Sequence, residues 1–434
     1  MTVHSLNVFD ASARVGAVEY ESLDDSFSFR YDERWAQADG AYSISPHILI
    51  RGQPASSGTV RRFLENLLPE GRALDIAATT FQVARNNLYG LLRQLGQETA
   101  GALSFLTETP QARPTSRREI TQAELKERMD ARAEVPFAVW DGRVRMSIAG
   151  YQDKLSVYMD EARMYLVEGE LASTHILKPE PTGGRLPMLV ANEHYCMSLA
   201  KHLGISVAPV SILRVPEPIL VIERFDRARQ PERVRRLHVV DGCQALNVPV
   251  GYKYERNFGS GRDVRNIRDG VSFQRLFSIV EYAVEKAATR LGLLRWAIFQ
   301  YLIGNCDAHG KNVSFFCKSA GLSLAPSYDL ISVVQYDGLE HELAMAYGDE
   351  FQLDNIRPYD WAAFAEQTKI PRALLSREMQ RIGRVAAEAA AQQRADESYQ
   401  GEEKVLVSKI AAYVQGQAQK LIEMSRPMLR VDLA

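Results

Sequence analysis

Cysteine is scarce in this 434-residue chain: Cys196, Cys243, Cys306 and Cys317 are all there are, and no two form a C-x-x-C pair. That scatter excludes a zinc ribbon or a thioredoxin-type dithiol, and it reads as reduced thiols in a cytoplasmic protein. Long hydrophobic runs are missing as well. The most apolar stretch, residues 291–303, is interrupted by Arg295 and Gln300 and is too short to span a bilayer, so no membrane partner is expected. The opening MTVHSLNVFDASARVG lacks a basic segment running into an apolar one, so nothing there reads as a secretory signal. Nor does one sign of charge prevail: 52 Lys and Arg against 54 Asp and Glu leave a net charge of −2. The chain is not a polycation built to coat nucleic acid, although local basic patches remain open.

What is present is ordinary globular composition, 46% hydrophobic and 24% charged, which excludes a mostly disordered chain. At roughly 150 residues per domain, the length allows about three domains. Phe27, Phe29 and Tyr31 alternate with Ser28 and Arg30, the period of a half-buried strand. Helices are predicted over residues 61–68, stopped by Pro69 and Gly71, and over about 75–95, stopped by Gly96. Residues 107–118 shift to Pro, Thr, Arg and Ser and read as a linker. Thr121 and Glu124 then form a capping-box pattern at the head of a charged helix. LSVYM and ARMYLV alternate around Asp160 and Glu161 like a hairpin; HILK, a helix over about 188–203 and the strand-like VAPVSIL and PILVIERF follow. From Phe273 onward the pattern is helical, notably over 357–366, 372–395 and 404–425. The predicted class is α+β. A β-rich N-terminal module (1–110) and a β-rich N-lobe (111–228) precede an all-α, or mostly α, C-lobe (229–434).

The densest chemical signal is G-N-C-D-A-H-G-K-N, residues 304–312, between the apolar LLRWAIFQYLI and VSFF. A turn between buried elements would account for one or two polar residues, but not for Asn305, Asp307, His309, Lys311 and Asn312 together. Asp307 and Asn312 stand five apart, the D-x-x-x-x-N spacing of a phosphoryl-transfer loop. There a carboxylate orients the attacking hydroxyl, and a carboxamide can ligate magnesium without adding negative charge beside phosphates. Seventeen residues later Asp329, in L-A-P-S-Y-D-L, offers a second carboxylate, although no D-F-G is present. Lys178 ends the HILK strand where a phosphate-clamping lysine would stand, and Glu193 on the next helix could pair with it. S-I-A-G-Y-Q-D-K (147–154) has a single glycine and is no Walker loop, yet a small-residue turn can bring backbone N–H groups to a phosphate.

In order along the chain, S-I-A-G-Y-Q-D-K, T-H-I-L-K, I-E-R-F-D-R, L-H-V-V-D-G-C-Q-A-L, N-C-D-A-H-G-K-N and A-P-S-Y-D-L resemble the HipA-like toxin serine/threonine kinases, of bacterial type II toxin–antitoxin pairs. F-L-E-N-L-L-P-E-G and G-A-L-S-F resemble that family's N-terminal module, so the likeness covers nearly the whole length. The resemblance implies a two-lobed protein-kinase-like fold using ATP and Mg²⁺. It implies Asp307 as the catalytic aspartate and Asn312 and Asp329 as magnesium ligands. Lys178 would contact the ATP phosphates, Glu223 and Phe225 would flank the adenine, and Ala149, Gly150, Tyr151, Gln152, Asp153 and Lys154 would form the loop over the phosphates. His309 and Lys311 are placed with these nucleotide-binding residues. Ser147 matches the serine whose autophosphorylation ejects that loop and switches the kinase off. Tyr151 and Asp153 depart from the Ala and Glu common in the family, and L-H-V-V-D departs from its H-x-E-D pattern.

The resemblance further implies a small helix-turn-helix, HipB-like antitoxin, operator DNA reached through it, and a protein substrate for which the family precedent is an aminoacyl-tRNA synthetase. Two basic runs, 224–236 and 253–268, read first as solvated faces and secondly as contacts for DNA, tRNA or an acidic protein; the second, rich in Gly, Asn and Arg, reads as mobile. Two other readings remain at this point: a lipid or small-molecule kinase, and a DNA-bound co-repressor with weak or no catalysis.

Overall fold

The alternation in FSFRY is realised as the strand Ser26–Tyr31, with Phe27 and Phe29 buried and Ser28 and Arg30 exposed. It edges an antiparallel sheet in the order Ser26–Tyr31, Ala13–Glu21, Val3–Asp10, Leu103–Leu106. The helix expected over 75–95 is two helices, Gly71–Phe81 and Leu88–Leu95. Gln82 ends the first in the left-handed region (φ 52°), and the Asn87 side chain caps the second by accepting from the Gly90 N–H. The apolar periodicity runs through both, so only the local capping chemistry separates them.

The computed structural model describes residues 3–108, 115–145, 152–161, 163–169, 171–230 and 233–433. It divides into two compact units. The first holds residues 1–182, 213–250 and 315–323; the second holds 183–212, 251–314 and 324–434.

Beside the four-stranded sheet, the first unit carries most of a six-stranded one. Its order is Val210–Val215, Glu217–Glu223, His175–Pro179, Leu155–Asp160, Arg163–Glu168, Ser116–Ile120. The hairpin expected around Asp160 and Glu161 is present, with Glu161 at φ 51°. Part of the expected linker is strand Ser116–Ile120, paired in register with Arg163–Glu168. The Thr121 side chain caps the helix Gln122–Asp130, which lays Leu125 and Met129 into a core with Phe137, Trp140, Leu155, Leu177 and Ile219.

The basic run at 224–236 is a solvated face only in part: Arg229, Arg233 and Arg235 are exposed, and Arg224, Arg227 and Arg236 are not. Arg224, Asp226 and Arg227 are each less than 10% exposed. The Asp226 carboxylate accepts from Arg224 (3.0 and 2.8 Å), from Arg227 (2.7 Å) and from the backbone N–H of Gly101 (2.8 Å). Glu98 adds a second carboxylate, 3.7 Å from Arg224 and 3.6 Å from Arg227. Arg227 and Arg236 donate back to the carbonyls of Gly101, Thr99 and Leu103. The reason is legible only in space. The anion that neutralises Arg224 and Arg227 lies in the same hexapeptide, but the second one and the carbonyls come from residues 98–103, more than a hundred positions away. A fastening of the same kind lies just downstream. His238 Nε2 donates to the Ile44 carbonyl (2.9 Å) and its ring stacks on Tyr42. Gln244 donates to Phe63 O, and Asn66 to Val248 O. Asp241 caps the short helix Gly242–Ala245 in a full capping box.

In the second unit the helices Lys286–Ile303, Arg372–Gln393 and Glu402–Ser425 follow the apolar periodicity read from the sequence. The helix Leu189–His202 is buried on nearly every side; Tyr195 donates to Ala390 O, and Asn192 both donates to Ser332 O and accepts from Ser332 N. Phe273, Tyr301, Tyr347, Trp361 and Phe364 form an aromatic core with ring centroids 4.7–6.0 Å apart. The C-terminal region is helical in the main, with short strands among the helices, including Glu342–Tyr347 and Glu350–Gln352. The second basic run is held rather than loose. Arg256 lies 3.8 Å over the Phe351 ring and pairs with Glu342, and Arg268 lies 5.2 Å over the same ring and bonds to Glu255 (2.7 Å) and Asp349 (2.6 Å).

The buried ion cluster has a measurable consequence. Removing one partner of a buried pair leaves the other uncompensated, so Asp226→Asn should lower stability by about 3–5 kcal/mol, read as a lower midpoint in urea. Burial raises both carboxyls, but the guanidiniums of Arg224 and Arg227 outweigh it and hold Asp226 low and Glu98 near 2. Burial pushes the His238 imidazole down to about 4. Stability in the first unit should therefore fall in two stages on acidification. Between about pH 6.5 and 4 the unfolded chain takes up protons that folded His238 refuses; between about pH 4 and 2 the carboxylates lose their advantage. His175, pushed down to about 4 by burial, contributes to the same stage, so His238→Gln should shrink the first stage in pH-dependent urea melts without abolishing it, and leave the second.

Candidate functional site

The polar segment 304–312 begins where a buried helix must stop. Gly304 closes Lys286–Ile303 at φ 65°, its N–H on the carbonyls of Gln300 and Tyr301. Asn305 then uses both ends of its amide: Nδ2 donates to Gln300 Oε1 (2.8 Å) and Oδ1 accepts from the Asp307 N–H (3.1 Å). The His309 N–H returns to Asp307 O, the Asn312 N–H returns to His309 O, and residues 310–312 close as a 3-10 turn. Tyr328 donates to Lys311 O (2.5 Å) and bonds Ser314 (2.8 Å). Asn305, His309, Lys311 and Asn312 are buried, whereas Asp307 is exposed. The loop's polar atoms are thus bonded partly within it and partly to Gln300 and Tyr328, and one carboxylate is presented outward.

Asp329 comes back to this loop. Asn312 Nδ2 lies 3.4 Å from Asp329 Oδ2 and 3.5 Å from Asp307 O. Asp329 itself stands at φ 58°, a region that L residues enter at a cost unless they are Asn or Asp. Two backbone bonds fix its approach: Ser327 N to Ser206 O, and Ala208 N to Ser327 O. Burial, with Lys253 close by, pushes the His309 imidazole down to about 3, so it is neutral at physiological pH. Burial, with Asp307 beside it, pushes the Cys306 thiol up to about 12, which removes it as a nucleophile. Tyr254 is the residue that sequence reasoning missed. Its hydroxyl donates to Asp307 Oδ1 at 2.5 Å, and its ring stands edge-on to His309, centroids 5.1 Å apart. It lies in the run read as mobile and basic, where the tyrosine between Lys253 and Glu255 was the only signal.

The other predicted residues lie in the first unit. Lys178 is buried in the strand His175–Pro179, between Leu155–Asp160 and Glu217–Glu223. The register pairs Leu177 with Leu155, so buried Lys154, the next residue out, falls opposite Lys178. Gln152 donates to Pro179 O (3.1 Å), and Asp153 lies between it and Lys154. Glu223 ends its strand exposed, opposite His175, and Phe225 stands edge-on to Phe316 at 5.9 Å. Glu193 belongs to the second unit. Ser147, Ala149, Gly150 and Tyr151 lie outside the described residues.

One segment thus presents an outward carboxylate and a carboxamide, a second carboxylate returns to it from Asp329, and a buried lysine strand lies in the first unit. Residues 6–106 match the family model of the HipA N-terminal domain, and residues 146–393 match that of the HipA-like C-terminal domain. The chain is 41% identical over 381 residues to the serine/threonine-protein kinase toxin HipA of Shewanella oneidensis, covering 87% of this chain and 86% of that protein. The solved complex of Shewanella oneidensis HipA, HipB and operator DNA superposes with a TM-score of 0.90 at 37% identity, covering 99% of this chain and 100% of that one. The chain belongs to the HipA family and has its kinase-like fold.

The backbone at Asp329 yields a check that needs no activity. Asn tolerates the left-handed region as Asp does, so Asp329→Asn should leave stability unchanged within about 0.5 kcal/mol, whereas Asp329→Ala should cost about 1 kcal/mol. Thermal unfolding of the two variants side by side separates them.

Proposed function

We propose that this protein is an ATP-dependent protein serine/threonine kinase, the toxin of a toxin–antitoxin pair. The observation that carries the proposal is the convergence of Asn312 and Asp329 on the loop that exposes Asp307, in a chain of the HipA family. Asp307 orients the substrate hydroxyl and accepts its proton as the γ-phosphoryl group leaves ATP. Asn312 and Asp329 are hard oxygen donors, as magnesium prefers. Among the described residues no group of three or more His, Cys, Asp or Glu could hold a metal on its own. Magnesium, when bound, supplies charge neutralisation on the phosphates. Lys178, with Lys154 opposite, holds phosphate oxygens by charge, joined by the backbone of residues 149–153. His309 and Lys311 shape the loop from inside, and Glu223 and Phe225 border the adenine. Catalysis on this reading is positioning plus electrostatics.

The regulatory and partner readings extend the same proposal. Ser147 is the autophosphorylation site: about −2 of charge there would repel the triphosphate and expel the loop. The partners are a HipB-like helix-turn-helix antitoxin and, through it, operator DNA, on the likeness to the solved complex named for those components. The protein acts in the cytoplasm on a protein substrate, of the aminoacyl-tRNA synthetase class by family precedent. No helix among the described residues is long and apolar enough to cross a membrane.

The test is incubation with Mg²⁺ and labelled ATP, followed by mass spectrometry of the wild type, Asp307→Ala, Asp329→Asn and Ser147→Ala. Label on Ser147 is expected in the wild type alone. Each loop variant should lose transfer by on the order of 10²–10⁴-fold while melting as a folded protein. Transfer retained in a folded Asp307→Ala protein would overturn the assignment. Absence of label from every folded, unmodified sample would favour a DNA-bound co-repressor.

A further inference from the structure

The hydroxyl of Tyr254 lies 2.5 Å from Asp307 Oδ1, and backbone bonds on both sides fix this distance. The Tyr254 segment is bonded to the same elements that carry the Asp307 loop, on both sides of the aspartate. Upstream, Glu255 N donates to Ala344 O, and Ala344 N donates to Cys306 O, the residue before Asp307. Downstream, Gly310 N donates to Lys253 O, the residue before Tyr254. One short strand, Glu342–Tyr347, therefore holds both partners of the hydroxyl–carboxylate bond.

The segment is clamped from its other edge too. Gly270 N donates to Glu255 O, and Val271 N to Tyr252 O. A Cβ at Gly270 would fall 1.7 Å from Tyr254 O, so only glycine permits that approach. Glu255, 2% exposed, fastens the segment with its side chain: Oε2 accepts from Ala346 N (2.8 Å) and Oε1 from Arg268 (2.7 Å). The tyrosine ring has its own constraints, His309 edge-on at 5.1 Å and the Lys253 ammonium 5.3 Å from its centroid. A surface tyrosine with a merely incidental contact would need none of this support.

We infer that Tyr254 is the positioning residue of the proposed phosphoryl transfer, its hydroxyl holding the exposed Asp307 carboxylate in the one rotamer that meets a substrate hydroxyl. The inference rests on the kinase reading above. An exposed aspartate otherwise samples several rotamers, and a misplacement of about 1 Å at the reacting group can cost on the order of 10²-fold. On this reading Tyr254 acts through Asp307 and not on the nucleotide, so its loss should act on turnover and leave ATP binding alone.

The experiment compares wild type, Tyr254→Phe and Asp307→Ala in the full chain, measuring kcat and KM for ATP with a generic serine peptide or protein acceptor, and melting temperature. Phenylalanine keeps the ring against His309 and removes only the hydroxyl. A kcat lower by about 10–100-fold, with KM for ATP and melting temperature unchanged, is expected. In the Asp307→Ala background the same substitution should change residual transfer by less than about twofold, because the group being positioned is gone. An unchanged or raised kcat in Tyr254→Phe, with the wild type active, overturns this inference alone; a rise would mean that the hydroxyl obstructs the aspartate. A wild type that transfers no phosphate to any acceptor or to itself overturns the kinase reading and the inference with it.

Discussion

A nine-residue polar loop lies between a buried helix and a buried strand, and the second unit is arranged around satisfying it. A polar group buried without a partner costs on the order of 1–3 kcal/mol, and the segment 304–312 carries such groups at nearly every position. The solution draws on elements distant in sequence. Gln300 takes the Asn305 amide, Tyr328 caps the Lys311 carbonyl, Ala344 takes the Cys306 carbonyl and Lys253 accepts from Gly310. Each of these partners must be in place before the loop can be buried at all. The helices and the aromatic core around Trp361 seat the Lys286–Ile303 helix, and that helix delivers Gly304 to its turn. Rigidity in the loop is thus a by-product of polar satisfaction, and the single exposed carboxylate inherits it.

The first unit solves a related problem with charge. Arg224, Arg227 and Asp226 are buried beside the Gly101 backbone, with half-buried Glu98 and Arg236 at their edge, an arrangement whose desolvation is costly unless every member is paired. Such a cluster contributes more to specificity of assembly than to net stability. It admits one register of residues 98–103 against 224–236, because a shift by one residue would strand a guanidinium. The strand Leu103–Leu106 that follows can then pair only with Val3–Asp10 in its observed register.

Periodicity made the regular elements legible. The strand Ser26–Tyr31, the Asp160 hairpin and the C-terminal helices Pro358–Gln367, Arg372–Gln393 and Glu402–Ser425 stand where alternation and 3.6-residue spacing put them. Spacing also singled out Asp307 and Asn312, since five polar residues between apolar flanks are more than a turn requires, and Asp329 gained weight only once Asp307 was in view. What escaped was decided by partners remote in the chain. The break at Gln82 is a local backbone choice beneath continuous apolar spacing. Arg224, Arg227 and Arg236 look solvated until Glu98 and the Gly101 carbonyl are placed beside them, and 253–268 looks loose until Phe351 and Glu342 meet it. Tyr254 escaped for the same reason, because its significance lies in the strand Glu342–Tyr347, some ninety residues on.

The chemistry proposed for this loop restricts its composition in a way the structure makes intelligible. A site that receives phosphate groups tolerates few fixed anions, yet the loop must be polar to form its turns. Carboxamides and a neutral imidazole resolve the conflict. Asn305 and Asn312 supply hydrogen bonds without charge, and burial keeps His309 uncharged, so it adds no cation that would compete for Asp307. The charge that remains is confined to Asp307, Lys311 and the returning Asp329. Only Asp307 of these is exposed, and Tyr254, a neutral donor, steadies it. A lysine or arginine in that position would hold the carboxylate as firmly but would bind it as an ion pair, weakening it as a proton acceptor. A tyrosine hydroxyl fixes its direction and leaves its charge to the substrate.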